Sequence, residues 1–189
     1  MRDPTEKPLI DALRRADAAA FDALYARYRA RVLGFLLRLS GRRDVAEDLF
    51  QETWVKLARH APRLAEDTDL AAWLFRVARN AWVSHRRWSM LDLSRLVALQ
   101  EELVAPARTT GGEERTDAAR AVARLEAAIA SLPAASREVL LLVGVEGFEQ
   151  EQAATILGIS YAALRQRLSR ARAQLTTAIE EQKGEEQTA

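Results

Sequence analysis

The chain has 189 residues, a formal net charge of +1 and a hydrophobic content of 49%, which is enough apolar material for two small domains that each bury a core. Ala, Leu, Arg and Glu dominate while Gly and Pro number only 8 and 5, a composition that favours helices and predicts an all-α fold without a substantial sheet. There is no cysteine and there are only two histidines, His60 and His85, which excludes disulfides, cysteine nucleophiles and thiolate metal sites and argues against a structural zinc.

Charge and hydropathy also bear on partners and location. Between residues 19 and 90 basic side chains outnumber acidic ones by 13 to 8, whereas residues 176–189 hold one basic and four acidic side chains. A basic block followed by an acidic end is common in proteins that meet phosphates with one part only. No apolar run approaches the roughly 18 residues needed to cross a bilayer, and the first residues are not signal-like. We therefore expect a cytoplasmic protein without membrane insertion.

Apolar periodicity predicts the helices of the first half of the chain. A short helix around 9–15 precedes a long helix that begins near Asp17 and ends at Gly41. The long helix carries one apolar stripe at spacings of three and four, made of Phe21, Leu24, Tyr25, Tyr28, Val32, Phe35, Leu36 and Leu39. A second long helix begins near Arg43 and ends before Pro62. It carries the doublets Val45/Ala46, Leu49/Phe50, Thr53/Trp54 and Leu57/Ala58, one turn apart.

A third long helix follows a loop of about 60–68 and begins near Asp69, a residue suited to the N-cap position. Its predicted core stripe consists of Leu70, Trp73, Leu74, Val77 and Ala81. These helices should form a bundle over residues 1–90. Residues 91–116 then include Gly111 and Gly112 and predict a flexible linker, although the apolar first part, 91–103, suggests a helix that packs on something.

A second domain is predicted over 117–178, before an acidic tail over 179–189. It opens near Asp117 with Val122, Leu125, Ile129 and Leu132 on one face, turns at Pro133 and continues with a helix from Ser136. A helix over about 149–157, the turn 158–160 and a helix from Tyr161 then form a helix-turn-helix. The last helix should bury Leu164, Leu168, Ala171 and Leu175.

Three helical faces suggest binding. Ser160 is a natural N-cap for the helix from Tyr161. Its face opposite the leucines holds Ala162, Gln166 and Ser169, flanked by Arg165, Arg167, Arg170 and Arg172. Such a face suits the major groove of DNA, and an ordinary solvated basic helix is the alternative.

On the third helix, Phe75, Arg79, Trp82 and Arg86 form one stripe beside Arg76, Asn80, Val83 and Arg87. Aromatic rings interleaved with arginines suit unpaired bases, but periodicity equally allows the rings to pack on a neighbouring helix. The second helix presents Asp48, Gln51, Glu52 and Lys56, and without an accompanying metal-ligand set or nucleophile–base pair these favour a protein-binding face over catalysis.

Taken together, these segments resemble the extracytoplasmic-function group of bacterial sigma factors, which keep only regions two and four of the larger sigma proteins. Residues 46–54, AEDLFQETW, look like region 2.2; residues 72–80, AWLFRVARN, look like region 2.3; and Arg86-Arg87 look like the end of region 2.4. Residues 132–133 (LP), 137–139 (REV), 146–148 (EGF), 157–160 (LGIS) and 167–172 (RLSRAR) resemble region four in the right order.

The resemblance implies a role for each face. Asp48, Gln51, Glu52 and Trp54 would contact the clamp helices of the polymerase beta-prime subunit, and region four would contact the beta flap. Melting and minus-10 recognition would fall to Arg63, Arg76, Arg79, Asn80, Trp82, Arg86 and Arg87, with the loop around Arg63 receiving a flipped base. The minus-35 element would be read by Ser160, Tyr161, Ala162, Arg165, Gln166, Arg167, Ser169 and Arg170. The resemblance also implies control by an anti-sigma factor, for which the apolar segment 91–103 is a candidate contact.

The expected activity is binding of core RNA polymerase and promoter DNA, without a catalytic residue, a metal or another cofactor in this chain. Two further readings stay open at this point. The chain could be a sigma mimic that binds an anti-sigma regulator without directing transcription, or a helix-turn-helix transcriptional regulator, which would need a dimer interface or an effector pocket. An enzyme is the least favoured reading because no convergent polar site is apparent.

Overall fold

The computed structural model describes the backbone of residues 6–96 and 117–188 and the side chains of residues 7–90 and 120–182. Within these ranges all regular structure is helical and no strand occurs, as the composition predicts. The chain divides into two compact units, Met1–Ala105 and Pro106–Ala189. Among the helices described, none is long and apolar enough to span a bilayer.

In its described residues, 6–96, the first unit is a bundle of four helices and one 3₁₀ turn. They are α1 (Glu6–Arg14), α2 (Ala18–Ser40), α3 (Arg43–His60), the 3₁₀ turn Ala61–Arg63 and α4 (Leu70–Leu96). Local capping explains where α2 lies: the Asp17 carboxylate accepts hydrogen bonds from the backbone N–H groups of Ala19 (2.8 Å) and Ala20 (3.3 Å), and Gly41 ends the helix in the left-handed region at φ +68°. Asp69 caps α4 in the same way, accepting from Ala72 N–H at 2.8 Å. The predicted starts of these two helices are therefore confirmed.

The core of this unit lies where α2, α3 and α4 pack on one another. Phe35 of α2 meets Phe75 of α4 edge to face, with ring centroids 5.1 Å apart. The predicted doublets of α3 are confirmed in large part as its inner face: Ala46, Leu49, Thr53, Trp54 and Leu57 are buried, and Val45 and Phe50 are half-buried. Ala58 is exposed, so the last doublet is inside only at Leu57. Because α4 contacts both α2 and α3, it buries a wider arc of its surface than a helix with one neighbour would.

The second unit is built on one long helix. Its elements are α5 (Asp117–Ser131), α6 (Ala134–Leu140), a π-helical segment (Leu141–Val145), α7 (Gln150–Leu157) and α8 (Tyr161–Thr188). Helix α8 packs against α5, α6 and α7. The predicted core residues Leu164, Leu168 and Ala171 are buried there, and Leu175 is half-buried. The Arg137 guanidinium donates to the carbonyl oxygens of Ala130 and Leu132 and so satisfies the C-terminal end of α5.

Some expectations need correction. Only the later part of the predicted α5 stripe is inside: Ile129 and Leu132 are buried, but Val122 and Leu125 are exposed. Helix α4 continues to Leu96, into the segment 91–103 for which the sequence suggests a helix, and α8 runs through most of the predicted acidic tail. The rest of the predicted linker, 97–116, lies outside the described residues, and the domain limits remain predictions.

Candidate protein and nucleic-acid interfaces

The outward face of α3 carries the polar residues that the sequence singled out. Asp48, Gln51 and Glu52 are exposed and share one side of the helix, because they are spaced three and four residues from Asp48. Glu52 forms an ion pair with Lys56, with Nζ–Oε1 at 2.6 Å, and the neighbouring Val55 is exposed. The face therefore combines carboxylates, an amide and an apolar side chain, which suits a protein partner better than an anionic one.

Trp54, the fourth residue predicted to contact polymerase, does not share this exposure. Its side chain is 6% exposed and lies in an aromatic cluster with Phe21, Tyr25 and Phe50, whose ring centroids are between 4.8 and 5.9 Å from its own. Its indole Nε1 is buried and has no hydrogen-bond acceptor within the described part of the chain. The ring therefore packs α3 onto α2 and supports the exposed face from beneath.

One stripe of α4 is exposed as predicted. Arg76, Asn80 and Arg87 are exposed, and Val83 between them is half-buried. Beside this stripe Arg86 is exposed and Arg79 is half-buried, with its Nη1 donating to the Asn80 Oδ1 at 3.4 Å. No aspartate or glutamate occurs between residues 70 and 90, so this stripe lies on a helix segment without carboxylates. Such a surface favours phosphates.

The aromatic members of the predicted base-stacking stripe are not on the surface. Phe75 is 0% exposed and Trp82 is 6% exposed, so the prediction that their rings alternate with arginines on an exposed face is wrong. The alternative, in which the rings pack on a neighbouring helix, holds for Phe75, which contacts Phe35. The physical reason is the second neighbour of α4, which extends the buried arc beyond the stripe Leu70, Leu74 and Ala81.

The structure exposes a different aromatic residue of α4. Trp88 is 66% exposed and follows the two arginines at 86 and 87, and Met90 beyond it is also exposed. The sequence prediction passed over both because they lie beyond the apolar periodicity of the helix. The only feature of the sequence that could have indicated an exposed aromatic residue is the tryptophan at position 88, which lies beyond the last residue of the predicted core stripe. Arg63, the loop residue predicted to meet a flipped base, is exposed at the end of the 3₁₀ turn.

The helix-turn-helix of the second unit is fixed by its turn. Glu149 and the side chain of Gln152 form a capping box at the start of α7, and Gly158 ends α7 at φ +66°, in the left-handed region that glycine adopts without strain. The Ser160 hydroxyl then accepts from Ala163 N–H at 3.2 Å and starts α8, which confirms it as the N-cap. These local bonds set the direction of the second helix relative to the first.

The outward face of α8 is available at its N-terminal turns. The predicted contacts that are exposed there are Ser160, Tyr161, Ala162, Arg165, Gln166, Ser169 and Arg170, whereas Arg167 is half-buried. The Arg165 guanidinium carbon lies 5.9 Å from the centroid of the Tyr161 ring. Ala162 and Ala163 in the first turn have small side chains, and no carboxylate occurs between residues 152 and 179. Two helical units, each with a basic exposed face, define a modular DNA-binding protein.

Comparison with known proteins identifies the class more closely. Residues 24–89 match the family model Sigma-70 region 2, and residues 123–175 match Sigma-70, region 4. The chain is 32% identical over 172 residues to the ECF RNA polymerase sigma factor EcfG of Rhodopseudomonas palustris, covering 91% of this chain and 87% of that protein. It is 32% identical over 176 residues to the ECF RNA polymerase sigma factor SigE of Mycolicibacterium smegmatis, covering 92% of this chain and 67% of the relative.

A solved structure agrees with the sequence relatives. The sigma factor RpoE of Bartonella quintana, crystallised with the anti-sigma factor NepR, superposes with a TM-score of 0.70 at 29% identity, covering 85% of this chain and 96% of that one. The chain belongs to the ECF sigma factors, the group that its sequence resembles. It is thus a sigma factor, which binds core RNA polymerase and directs promoter recognition and transcription initiation.

Proposed function

We propose that this sigma factor divides its work among three helical faces: α3 attaches it to core polymerase, α4 opens and holds the minus-10 region, and α8 reads the minus-35 element. The observation that carries the proposal is the separation of chemistry between α3 and α4. The acidic residues Asp48 and Glu52 face outward on α3, whereas the exposed polar stripe of α4 is made of arginines and an asparagine. A protein partner and a polyanion can therefore bind the same bundle on different helices.

On α3, Asp48, Gln51 and Glu52 would contact the clamp helices of the beta-prime subunit. Their spacing puts all three side chains within one turn, where they can engage a single partner helix. Trp54 contributes indirectly in this proposal, by fixing α3 against Phe21 and Tyr25 of α2. Region four, in the second unit, would contact the beta flap.

On α4, Arg76, Arg79, Arg86 and Arg87 would hold the backbone of the non-template strand while Asn80 offers an amide to base edges. Arg63, at the end of the 3₁₀ turn, would lie beside a flipped base. Strand opening requires no covalent step, because a protein that binds the open strand more tightly than the duplex shifts the equilibrium towards the open state. The chain would therefore act without catalysing a reaction of its own, in the cytoplasm where the polymerase works.

On α8, base reading would fall to Arg165 and Gln166, whose side chains can each make two hydrogen bonds to a base edge. Ser160, Tyr161, Ala162, Arg167, Ser169 and Arg170 would contact neighbouring phosphates and sugars or allow close approach. The domain assignment that follows is 1–90 for polymerase and minus-10 binding, 91–116 for the linker, 117–178 for minus-35 binding and 179–189 for an acidic end.

An anti-sigma factor is the regulatory partner we infer. The support is the solved relative from Bartonella quintana, which was crystallised with an anti-sigma factor and covers 85% of this chain. A sigma mimic, which would bind such a regulator without directing transcription, has less support because the arginines of α4 and α8 are present and mostly exposed.

Run-off transcription tests the proposal. Purified core polymerase is combined with the wild-type protein, with Asp48→Ala/Gln51→Ala or with Arg79→Ala/Arg86→Ala on a pool of genomic promoter fragments. Asp22→Ala/Arg29→Ala, which removes one exposed acid and one exposed base of α2, is the control for a double surface substitution elsewhere on the bundle. We expect specific transcripts with the wild type and the control, and their loss with both test variants.

A core-binding measurement separates the two faces. The α3 variant should lose affinity for core polymerase, whereas the α4 variant should keep it and fail only at strand opening, read by permanganate reactivity of unpaired thymines. Transcripts that survive in both variants would contradict the assignment of faces. No transcript from the wild type, together with no binding to core polymerase, would favour the sigma-mimic reading.

A further inference from the structure

The buried indole of Trp82 in α4 lies next to an exposed arginine. The guanidinium carbon of Arg86 lies over the Trp82 ring, 5.8 Å from its centroid, which is within the range of a cation–π contact. Arg86 follows Trp82 by one helical turn and is exposed, whereas Trp82 is 6% exposed. The ring is thus buried, and the exposed cation lies over it.

In this structure the Trp82 ring is not open to a base. A base can stack only on a ring whose face is open to it, and the Trp82 side chain is almost fully enclosed. Moving the ring outwards would remove one of the largest apolar side chains from the core. The exposed group of the pair is the guanidinium, which offers its N–H donors to solvent and to any phosphate.

A free arginine side chain loses rotamer freedom when it binds a phosphate, and this loss weakens the contact. A ring beneath the guanidinium restricts those rotamers before DNA arrives. Tryptophan provides the most favourable face for a cation among the aromatic side chains. Burial of Trp82 adds to this effect because a ring that does not move gives the guanidinium a fixed platform.

We propose that Trp82 is a positioning residue that preorganises Arg86 for the backbone of the promoter strand, and that it does not itself contact a base. The proposal rests on the proposed function of α4 as the minus-10 surface and adds a residue that acts through another. It assigns Trp82 a role different from the direct minus-10 contact that the sequence resemblance implies.

A double-mutant cycle tests it, with affinity of the reconstituted holoenzyme for a forked minus-10 DNA as the readout. The substitutions are Trp82→Leu, which keeps an apolar side chain but removes the ring, Arg86→Ala, and the two combined. Trp82→Phe keeps a smaller ring. We expect Trp82→Leu to weaken binding about two- to five-fold, the equivalent of one cation–π contact, and Trp82→Phe to weaken it less. In the Arg86→Ala background, Trp82→Leu should have no further effect.

Salt dependence tests whether Arg86 contacts a phosphate and whether that contact is still made when the ring is removed. Arg86→Ala should reduce the slope of log affinity against log salt by about 0.7 to 0.9, the value for one phosphate contact. Trp82→Leu should leave the slope unchanged while lowering affinity at every salt concentration, because the contact is still made but is less preorganised. Arg29→Ala, which removes an exposed arginine from α2, is the control for loss of one positive charge and should change neither quantity.

The outcomes separate this inference from the function on which it rests. If Arg79→Ala and Arg86→Ala both leave DNA affinity unchanged, α4 is not the minus-10 surface and both proposals fail. Two outcomes would overturn only the positioning role. In the first, Arg86→Ala weakens DNA binding but Trp82→Leu does not. In the second, Trp82→Leu lowers DNA affinity by the same factor in the Arg86→Ala background as in the wild type. Should Trp82→Leu fail to fold, Trp82→Met and Trp82→Phe carry the same cycle, and equal effects of these two would overturn the role of the ring.

Discussion

Replacing Gly158 with alanine should destabilise the second unit by the free energy that an L-residue needs to adopt the left-handed backbone conformation. Gly158 ends α7 at φ +66°, and a Cβ added there would meet nothing within 4 Å, so the cost of Gly158→Ala is conformational and not steric. An L-residue in the left-handed region costs about 1–2 kcal/mol. That loss raises the population of the open unit by about 5- to 30-fold. Gly158→Asn should recover part of the loss because asparagine tolerates this region better than alanine.

Hydrogen exchange in the full-length chain measures the effect. Backbone amides of α7 and α8 should exchange about 5- to 30-fold faster in Gly158→Ala, in the regime where exchange reports the opening equilibrium. The four tryptophans lie at positions 54, 73, 82 and 88, so tryptophan fluorescence during urea unfolding reports the first unit and should not change. The affinity of Gly158→Ala for minus-35 DNA should decrease by a smaller factor than its amide exchange rates increase, because most molecules remain folded.

Gly144→Ala is the matched control. Gly144 lies in the same unit, has no positive φ, and also has open space around an added Cβ. This substitution should be neutral or slightly stabilising, because alanine restricts the unfolded chain. If the two alanine variants exchange at the same rate, the turn does not require a left-handed residue and Gly158 does not fix the helix-turn-helix.

Three other perturbations give distinct expectations. Phe75→Ala should cost about 3–5 kcal/mol of unfolding free energy in a urea titration, because the side chain is fully buried against Phe35; a loss of DNA binding at unchanged stability would contradict this. Tyr161→Leu should weaken minus-35 binding about two- to five-fold in an anisotropy titration, and by a smaller factor in an Arg165→Ala background, because the ring also holds the Arg165 guanidinium; an equal loss in both backgrounds would contradict this. The hydrogen bond from Arg42 lowers the pKa of the Asp44 carboxyl, so the stabilisation from this pair is present above the ordinary pKa of aspartate and is lost as the pH falls through the lowered value. An NMR titration of Asp44 should therefore show a midpoint that Arg42→Gln raises; an unchanged midpoint would exclude Arg42 as the cause.

The local structure of this protein could be predicted from the sequence because its determinants are local. Asp17, Asp69 and Ser160 cap helices through bonds to amides two or three residues away, and Gly41 and Gly158 end helices through their own backbone angles. The order of the motifs also sufficed to identify the family, since residue types at fixed spacing do not depend on which helices finally touch.

The exposure of the aromatic residues was decided by the tertiary structure. Periodicity gives the direction in which a side chain leaves its helix, but the width of the buried arc depends on how many neighbours the helix has. Because α4 packs on both α2 and α3, Phe75 and Trp82 are inside, while Trp88 on the same helix is outside. Only the assembled bundle therefore shows that Arg76, Arg86 and Arg87 of α4 are exposed and that the guanidinium of Arg86 lies over a buried indole.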